Sequence, residues 1–211
     1  MITYKYYIVL IVVLCSCKKS IDKVEQQNVS LPYFNTPDFT PEWGRAVHKI
    51  KTFSFLNQND ITITNKTFEG KIYIANFFFT SCPGICPKLA KSMNNLQEVY
   101  KNDNDIMLLS HTVMPWQDSV PTLKRYAINN KVNDKKWYLV TGNKDDLYDI
   151  ARTSYFADQD FNETKIPADF IHTENFILVD KKGYIRGVYN GTLPLDVKRL
   201  QRHITSLKRE G

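Results

Sequence analysis

Glycine, cysteine and histidine are all scarce in this chain, at eight, four and four residues of 211. The few glycines form no glycine-rich loop after the first long apolar strand, which argues against dinucleotide binding. Arginine-rich blocks are absent. The 28 basic residues are scattered among 22 acids, so the net charge of +6 describes a basic surface and brings no nucleic-acid motif. The apolar run nearest the N-terminus, residues 6–14, is too short for a comfortable membrane span. No internal repeat is visible. Hydrophobic residues make up 43% of the chain, enough for a core, and wholesale disorder is excluded. The length suits one domain plus a leader and a tether.

The leader is short and basic at first, with Lys5, then apolar, and it ends at Leu14-Cys15-Ser16-Cys17. Leu-x-Ser-Cys at that point resembles a bacterial lipoprotein signal. The resemblance implies cleavage before Cys17 and lipid on its thiol and new amino terminus. An uncleaved membrane anchor is the plainer alternative. Both put the body outside the cytoplasm, in the bacterial cell envelope on the periplasmic side of a membrane. The expected organisation is a signal peptide over 1–16, a lipidated N-terminus and tether over 17–46, and a domain over 47–211. Pro32, Pro37 and Pro41 interrupt regular structure in the tether. Tyr33, Phe34, Phe39 and Trp43 stand among them, and if they pack onto the domain the linker shrinks to about its first dozen residues.

From Ile50 the pattern is α/β. Residues 72–79 form a nearly continuous apolar run, read as a central strand covered on both faces, with Asn76 its polar interruption. Leu89, Met93, Leu96 and Tyr100 then fall at helical spacing. Further strands are expected over 106–109 and 137–140, helices from Ser119 and over 145–156, a hairpin over 176–189, and a terminal helix over 194–208. Alternating strands and helices predict a mixed central sheet flanked by helices.

If Cys15 leaves with the leader and Cys17 carries lipid, Cys82 and Cys86 are the pair that remains. A disulfide between cysteines so close in sequence closes too small a loop to stabilise much, so a redox or metal role is better motivated. The pair sits in Ser81-Cys82-Pro83-Gly84-Ile85-Cys86-Pro87, between the long strand and the first long helix. Unpaired N–H groups at a helix start favour negative charge and lower a thiol pKa. Three intervening residues give a wider grip than the common two-residue redox motif. Such a pair can form a disulfide or hold a soft ion, and thiolates select Cu(I) and zinc. A third donor would then be needed. Spacing alone leaves His111 and His172 open for it; His48 lies at the tether's edge and His203 in the terminal helix.

Over residues 53–207 the chain resembles the Sco/SenC family of copper-handling, thioredoxin-like proteins. The likeness centres on Gly70-Lys71, the apolar strand, and Phe79-Thr80-Ser81-Cys82-Pro83-Gly84-Ile85-Cys86-Pro87, with proline after each cysteine. The resemblance implies a thioredoxin-like fold. It also carries the distal ligand onto His172, which precedes Phe176-Ile177-Leu178-Val179-Asp180 and the turn at Gly183. By the same resemblance Cys82 and Cys86 ligate Cu(I) or Cu(II) when reduced and form a disulfide when oxidised. The implied partner is the copper-bearing subunit of a haem-copper cytochrome oxidase, with a thiol reductant or copper donor protein upstream. The chain would act as a membrane-tethered metallochaperone for the binuclear copper centre, as a reductant of that centre's cysteines, or both. Two departures stand out. Gly84 occupies a place where the family usually has aspartate, and Met114 precedes Pro115 where the family tends to have Asp-Pro, while Asp118 and Pro121 fit. Met114 and His111 are further soft donors on this reading, against simple packing for Met114. In thiol exchange, Cys82 is expected to attack and Cys86 to resolve. The alternative reading is an extracytoplasmic thiol–disulfide oxidoreductase with no copper role, in which His172 is dispensable. A peroxidase and a structural lipoprotein are weaker readings.

Overall fold

The computed structural model describes residues 30–158 and 173–210. In chain order its elements are β1 (Tyr33–Phe34), β2 (Pro41–Glu42), β3 (Ser54–Asn57), β4 (Thr62–Thr64), β5 (Ile72–Phe78), α1 (Cys86–Val99), β6 (Ile106–Thr112), α2 (Val120–Asn129), β7 (Trp137–Thr141), α3 (Lys144–Asp149), β8 (Asn175–Val179), β9 (Ile185–Asn190) and α4 (Pro194–Arg209). β3 to β9 form one mixed sheet in the order β4-β3-β7-β6-β5-β8-β9. β5, β6 and β7 are parallel neighbours. β8 runs antiparallel to β5, and β3 antiparallel to β7. This is the expected α/β architecture with helices on both faces. Among the described residues, no helix is long and apolar enough to cross a membrane.

β5 is buried at all seven positions, as its unbroken apolar run predicts. Its even residues Ile72 and Ile74, with Leu108, Trp137 and Phe176, meet the apolar stripes of α1, α2 and α4. Its odd residues Tyr73, Ala75 and Phe77 join Leu109, Val140 and Tyr155 on the other face, under α3. Asn76, the polar interruption, accepts from the Ser110 hydroxyl at 2.5 Å, and Ser110 accepts from the Trp137 ring N–H at 2.8 Å. That chain of bonds satisfies three polar groups in the core.

Two elements depart from the expected bounds. β6 runs to Thr112 instead of stopping at Leu109, because Ser110 and Thr112 find buried acceptors in Asn76 and Asp118. The helix expected over 145–156 is a regular turn capped by Asn143, whose side chain accepts from the Asp145 and Asp146 N–H groups, and it passes at Ile150 into a wider π turn ending at Ser154. Before the domain proper, β1 and β2 pair with each other, and Phe34 and Phe39 pack against the core. Leu31 is buried. Its carbonyl accepts from Arg186 at 2.5 Å, and its N–H donates to Glu210 at 2.7 Å. So the aromatics among the prolines do pack onto the domain, although Trp43 stays 62% exposed.

His111 is a costly part of this core. Its ring is fully buried among Phe53, Phe55, Phe77 and Tyr155. Neither ring nitrogen has a hydrogen-bond partner. Burial therefore pulls its pKa from 6.5 down to about 3. Between those values the unfolded chain binds a proton that the folded chain refuses, so stability falls as pH drops through 6.5 toward 3. In urea unfolding, the stability lost between pH 7 and pH 5 should be about 2 kcal/mol smaller for His111→Leu than for the wild type. Equal losses would mean that this imidazole is not held neutral.

Candidate metal and thiol centre

The centre begins where β5 runs out. Past Phe78 the chain turns, with the Cys82 N–H donating to the Phe79 carbonyl at 3.3 Å. The loop re-enters regular structure at Cys86, the first residue of α1. Pro87 tolerates that position because a first-turn N–H has no partner within the helix. The Ile85 carbonyl accepts from Lys88 at 2.9 Å and from Leu89 at 3.0 Å, which closes the opening turn. Cys86 is buried beneath the helix and Cys82 is half-buried at its mouth; both are free thiols. Gly84 lies between them with open space where a Cβ would stand and no positive φ. Nothing steric at the Cβ position therefore requires glycine there.

The two thiols are not equivalent. Partial burial pushes Cys82 up, but it accepts hydrogen bonds from the Cys86 thiol and from the N–H groups of Cys86, Gly84 and Ile85, and the net pKa is lowered. These are the unpaired donors of a helix start, aimed at one sulfur. Cys86 goes the other way, to about 12: burial raises it, as do its bond to Cys82 and the negative charges of Cys82 and Asp118, against a bond from the Phe79 backbone. The pair thus holds one negative charge easily, on Cys82, and a second one only with help from a cation.

Asp118 fixes this rim from behind. It is fully buried. Its carboxylate accepts from the Thr80 N–H at 3.1 Å, the Thr80 hydroxyl at 2.5 Å and the Thr112 hydroxyl at 2.5 Å. One side chain therefore ties the end of β5, the end of β6 and the loop before α2 together, two residues ahead of Cys82. Ser81 adds a bond to Gln117 at 3.3 Å. Tyr126 of α2 packs against the same cluster as Cys86, and burial, with the charges of both cysteines and Asp118, raises its pKa. The sequence marked Asp118 only through its place in a family pattern. Thr80 and Thr112 carried no signal, since a threonine that clamps a carboxylate looks like any strand-end threonine.

Of the predicted site residues, Cys82 and Cys86 are brought together. His172 and Cys17 lie outside the described residues. His111 does not reach the rim: its ring is on the opposite face of the sheet from Cys86, in the aromatic cage. It is unsuited to a soft-donor role for that reason. Met114 packs against the same core. His48 bonds to the Ser154 carbonyl at 2.7 Å and His203 to the Tyr189 hydroxyl at 2.8 Å. Among the described residues, no group of three or more Cys, His, Asp or Glu is arranged to hold a metal. Two adjacent thiols, one of them readily ionised, still form a donor pair suited to a soft monovalent ion. Asp118→Ala should strand the Thr80 N–H and both hydroxyls, lowering stability by about 3 kcal/mol in urea unfolding. Thr112→Val should cost about 1 kcal/mol. Near-equal, small effects would show the clamp to be dispensable.

Comparison with known proteins agrees with this geometry. The family model described as SCO1/SenC matches residues 44–208. The SCO1 protein homolog of Bacillus subtilis is 30% identical over 149 residues, covering 68% of this chain and 75% of its own. Among solved structures, a SCO1/SenC family lipoprotein from Bacillus anthracis superposes with a TM-score of 0.66 at 24% identity, covering 78% of this chain and 98% of that one. BsSco, a member of the Sco family of cytochrome c oxidase assembly proteins in which a disulfide switch has been identified, gives 0.63 at 25% identity, covering 76% and 93%. Yeast Sco1 with copper bound gives 0.56 at 21%, covering 77% and 96%. A thioredoxin-like domain with its thiol pair at the β5–α1 junction, matched along most of its length, makes this chain a member of the SCO1/SenC family.

Proposed function

We propose that the chain carries copper as cargo between Cys82, Cys86 and His172, delivers it to the binuclear copper centre of a haem-copper cytochrome oxidase, and is held outside the cytoplasm by lipid on Cys17. The observation that carries this reading is the paired thiols at the start of α1, one ionised easily and the other only against burial and its neighbour's charge. A soft cation supplies what that second ionisation lacks. Copper-bound yeast Sco1, a relative in fold, is consistent with it. The third donor is supported by register. β8 pairs antiparallel with β5, Ile177 opposite Ala75, so the start of β8 stands at the rim where β5 ends. His172 comes just before Thr173 in the sequence, two residues ahead of Glu174, whose carbonyl accepts from Gly191 at 2.8 Å. A neutral imidazole and two thiolates would form a three-coordinate site that releases protons as it fills.

The same pair is fitted to reduce a partner's disulfide. The Cys82 thiolate attacks one partner sulfur and expels the other as a thiolate. The Cys86 thiol, losing its proton, then attacks the Cys82 sulfur and frees the first. The chain ends as a disulfide and the partner as two thiols, a two-electron exchange. The disulfide switch of BsSco, a relative in the same family, fits this second capacity. With no copper at all, the chain would be the thiol–disulfide oxidoreductase of the alternative reading.

Anaerobic titration of the reduced chain, lacking residues 1–17, should find one tightly bound copper, weakened by about a hundredfold or more in His172→Ala, since even outer-shell partners of a ligand are worth 10–100-fold. Affinity should fall as pH drops below the thiol range, because protons compete for both sulfurs. Weak binding that ignores both the substitution and pH would leave disulfide exchange as the function. Separately, a limiting alkylating agent at neutral pH should modify Cys82 well before Cys86, and Cys86→Ser should accumulate the mixed disulfide with a disulfide-bearing partner peptide. Trapping through Cys86 instead would reverse the roles of attacker and resolver.

A further inference from the structure

The domain has two ends of different character. β5, β6 and β7 are parallel, so all three start at one pole and end at the cysteine rim. α1, α2 and α4 run back from rim to pole. The pole therefore collects residues 68–71 leading into β5, the loops 99–105, 130–136 and 180–184 and the end of α4. Their contacts agree: Lys71 donates to the Asn104 carbonyl at 2.8 Å, Lys136 to the Asp103 carbonyl at 2.6 Å, and Lys208 pairs with Asp103. Exposed Lys49, Lys66, Lys131, Lys135, Lys182 and Arg209 make no ion pair among the described residues. Four lysines, Lys49, Lys66, Lys181 and Lys182, line an open cleft of about 500 Å³ there. Of its two acids, Glu69 and Asp180, the second is already engaged by Arg186 at 3.2 Å. The rim has no such excess: at its surface Asp145, Asp146 and Glu174 stand against Lys88 and Lys144, Asp196 is paired with Arg199 at 3.0 Å, and Asp118 is buried.

The chain enters the domain at this same basic pole. Arg186 binds the carbonyls of Leu31 and Pro32, and Glu210 binds the Leu31 N–H. Thirteen residues, 18–30, separate Leu31 from Cys17. Fully extended they reach at most about 45 Å, and Lys18, Lys19 and Lys23 lie among them.

We propose that this pole is a docking surface for an anionic bilayer, the lysine cleft taking lipid phosphate groups, so that the cysteine rim faces away from the membrane. The inference rests on the reading that Cys17 carries the anchor, which keeps the pole within reach of the headgroups. A short tether entering at the basic end favours a lipid surface over an acidic soluble partner, because the bilayer is the anionic surface nearest that end. Headgroup charge acts over about a Debye length, ~10 Å at 0.1 M salt. The seven residues of β5 then set the thiols about 23 Å above the pole at about 3.3 Å per residue, out of the surface field and presented to a partner.

The test is lysine acetylation footprinting of the full chain, expressed in a lipoprotein-processing bacterium and reconstituted in phosphatidylcholine vesicles with or without phosphatidylglycerol. Lys49, Lys66 and Lys182 should react at least about threefold more slowly on the anionic vesicles, recover at high salt, and do so while Lys88 and Lys144 are unchanged. Equal rates on both vesicles, with the chain floating on both, would overturn the proposal. The mass of the Cys17 peptide reads the anchor independently. If it carries no lipid, the anchoring reading falls, and salt-sensitive flotation on anionic vesicles alone, with the same lysines slowed, still upholds the docking surface. No flotation on either overturns it.

Discussion

The parallel pairing of β5 with β6 decides what happens at the rim. Because the two strands end side by side, Thr80 and Thr112 leave them within reach of one carboxylate, and Asp118 takes both. A carboxylate buried without partners would be too costly to keep; here three donors satisfy it. That carboxylate locks the backbone two residues before Cys82 and opposes ionisation of Cys86 behind it. The helix start pulls in the other direction at Cys82. So the difference between the thiols comes from two backbone-scale features, a strand junction and a helix terminus, more than from either cysteine.

This asymmetry bears on both capacities proposed for the site. An oxidoreductase needs one good nucleophile and a protonated partner waiting to resolve, which is the metal-free arrangement here. A copper carrier needs both sulfurs ionised, and the cation itself supplies the compensation. On the proposed function, copper and disulfide exchange would compete for the same sulfur pair, and the proton held on Cys86 by its raised pKa would compete with copper there. Open space at Gly84 leaves that balance without the carboxylate the family usually places between its cysteines.

Much of the framework was legible because it depends on patterns that short sequence windows carry. The run from Ile72 signals a strand covered on both faces, and the spacing of Leu89, Met93 and Leu96 signals the helix whose start holds Cys86. What could not be read depends on residues brought together from far apart. His111 follows two core residues just as a rim ligand would, and only the sheet's alternation, with β6 running on to Thr112, turns it into the aromatic cage. Leu31 and Arg186, 155 positions apart, likewise leave no mark in any short window, so the packing of the proline-rich segment was signalled only by the aromatics within it. The π turn at Ile150 breaks a helix whose apolar spacing continues through it.

The buried Arg186 connects the ends of the chain to the sheet. Its guanidinium meets Asp180 at 3.2 Å, Glu210 at 2.7 Å and the carbonyls of Leu31 and Pro32, with its side chain 3% exposed. A cation taken so far from water is tolerated only because two carboxylates and two carbonyls surround it. Its placement at the start of β9 makes the chain's entry and α4's exit part of one polar cluster at the basic pole. Strand direction then does the rest. With β5 starting at that pole and ending at Phe78, just before the cysteine loop, the chain's entry and the thiols lie at opposite ends of one strand. The single-charge chemistry of the pair is thereby carried at the end of the sheet opposite the point where the chain enters.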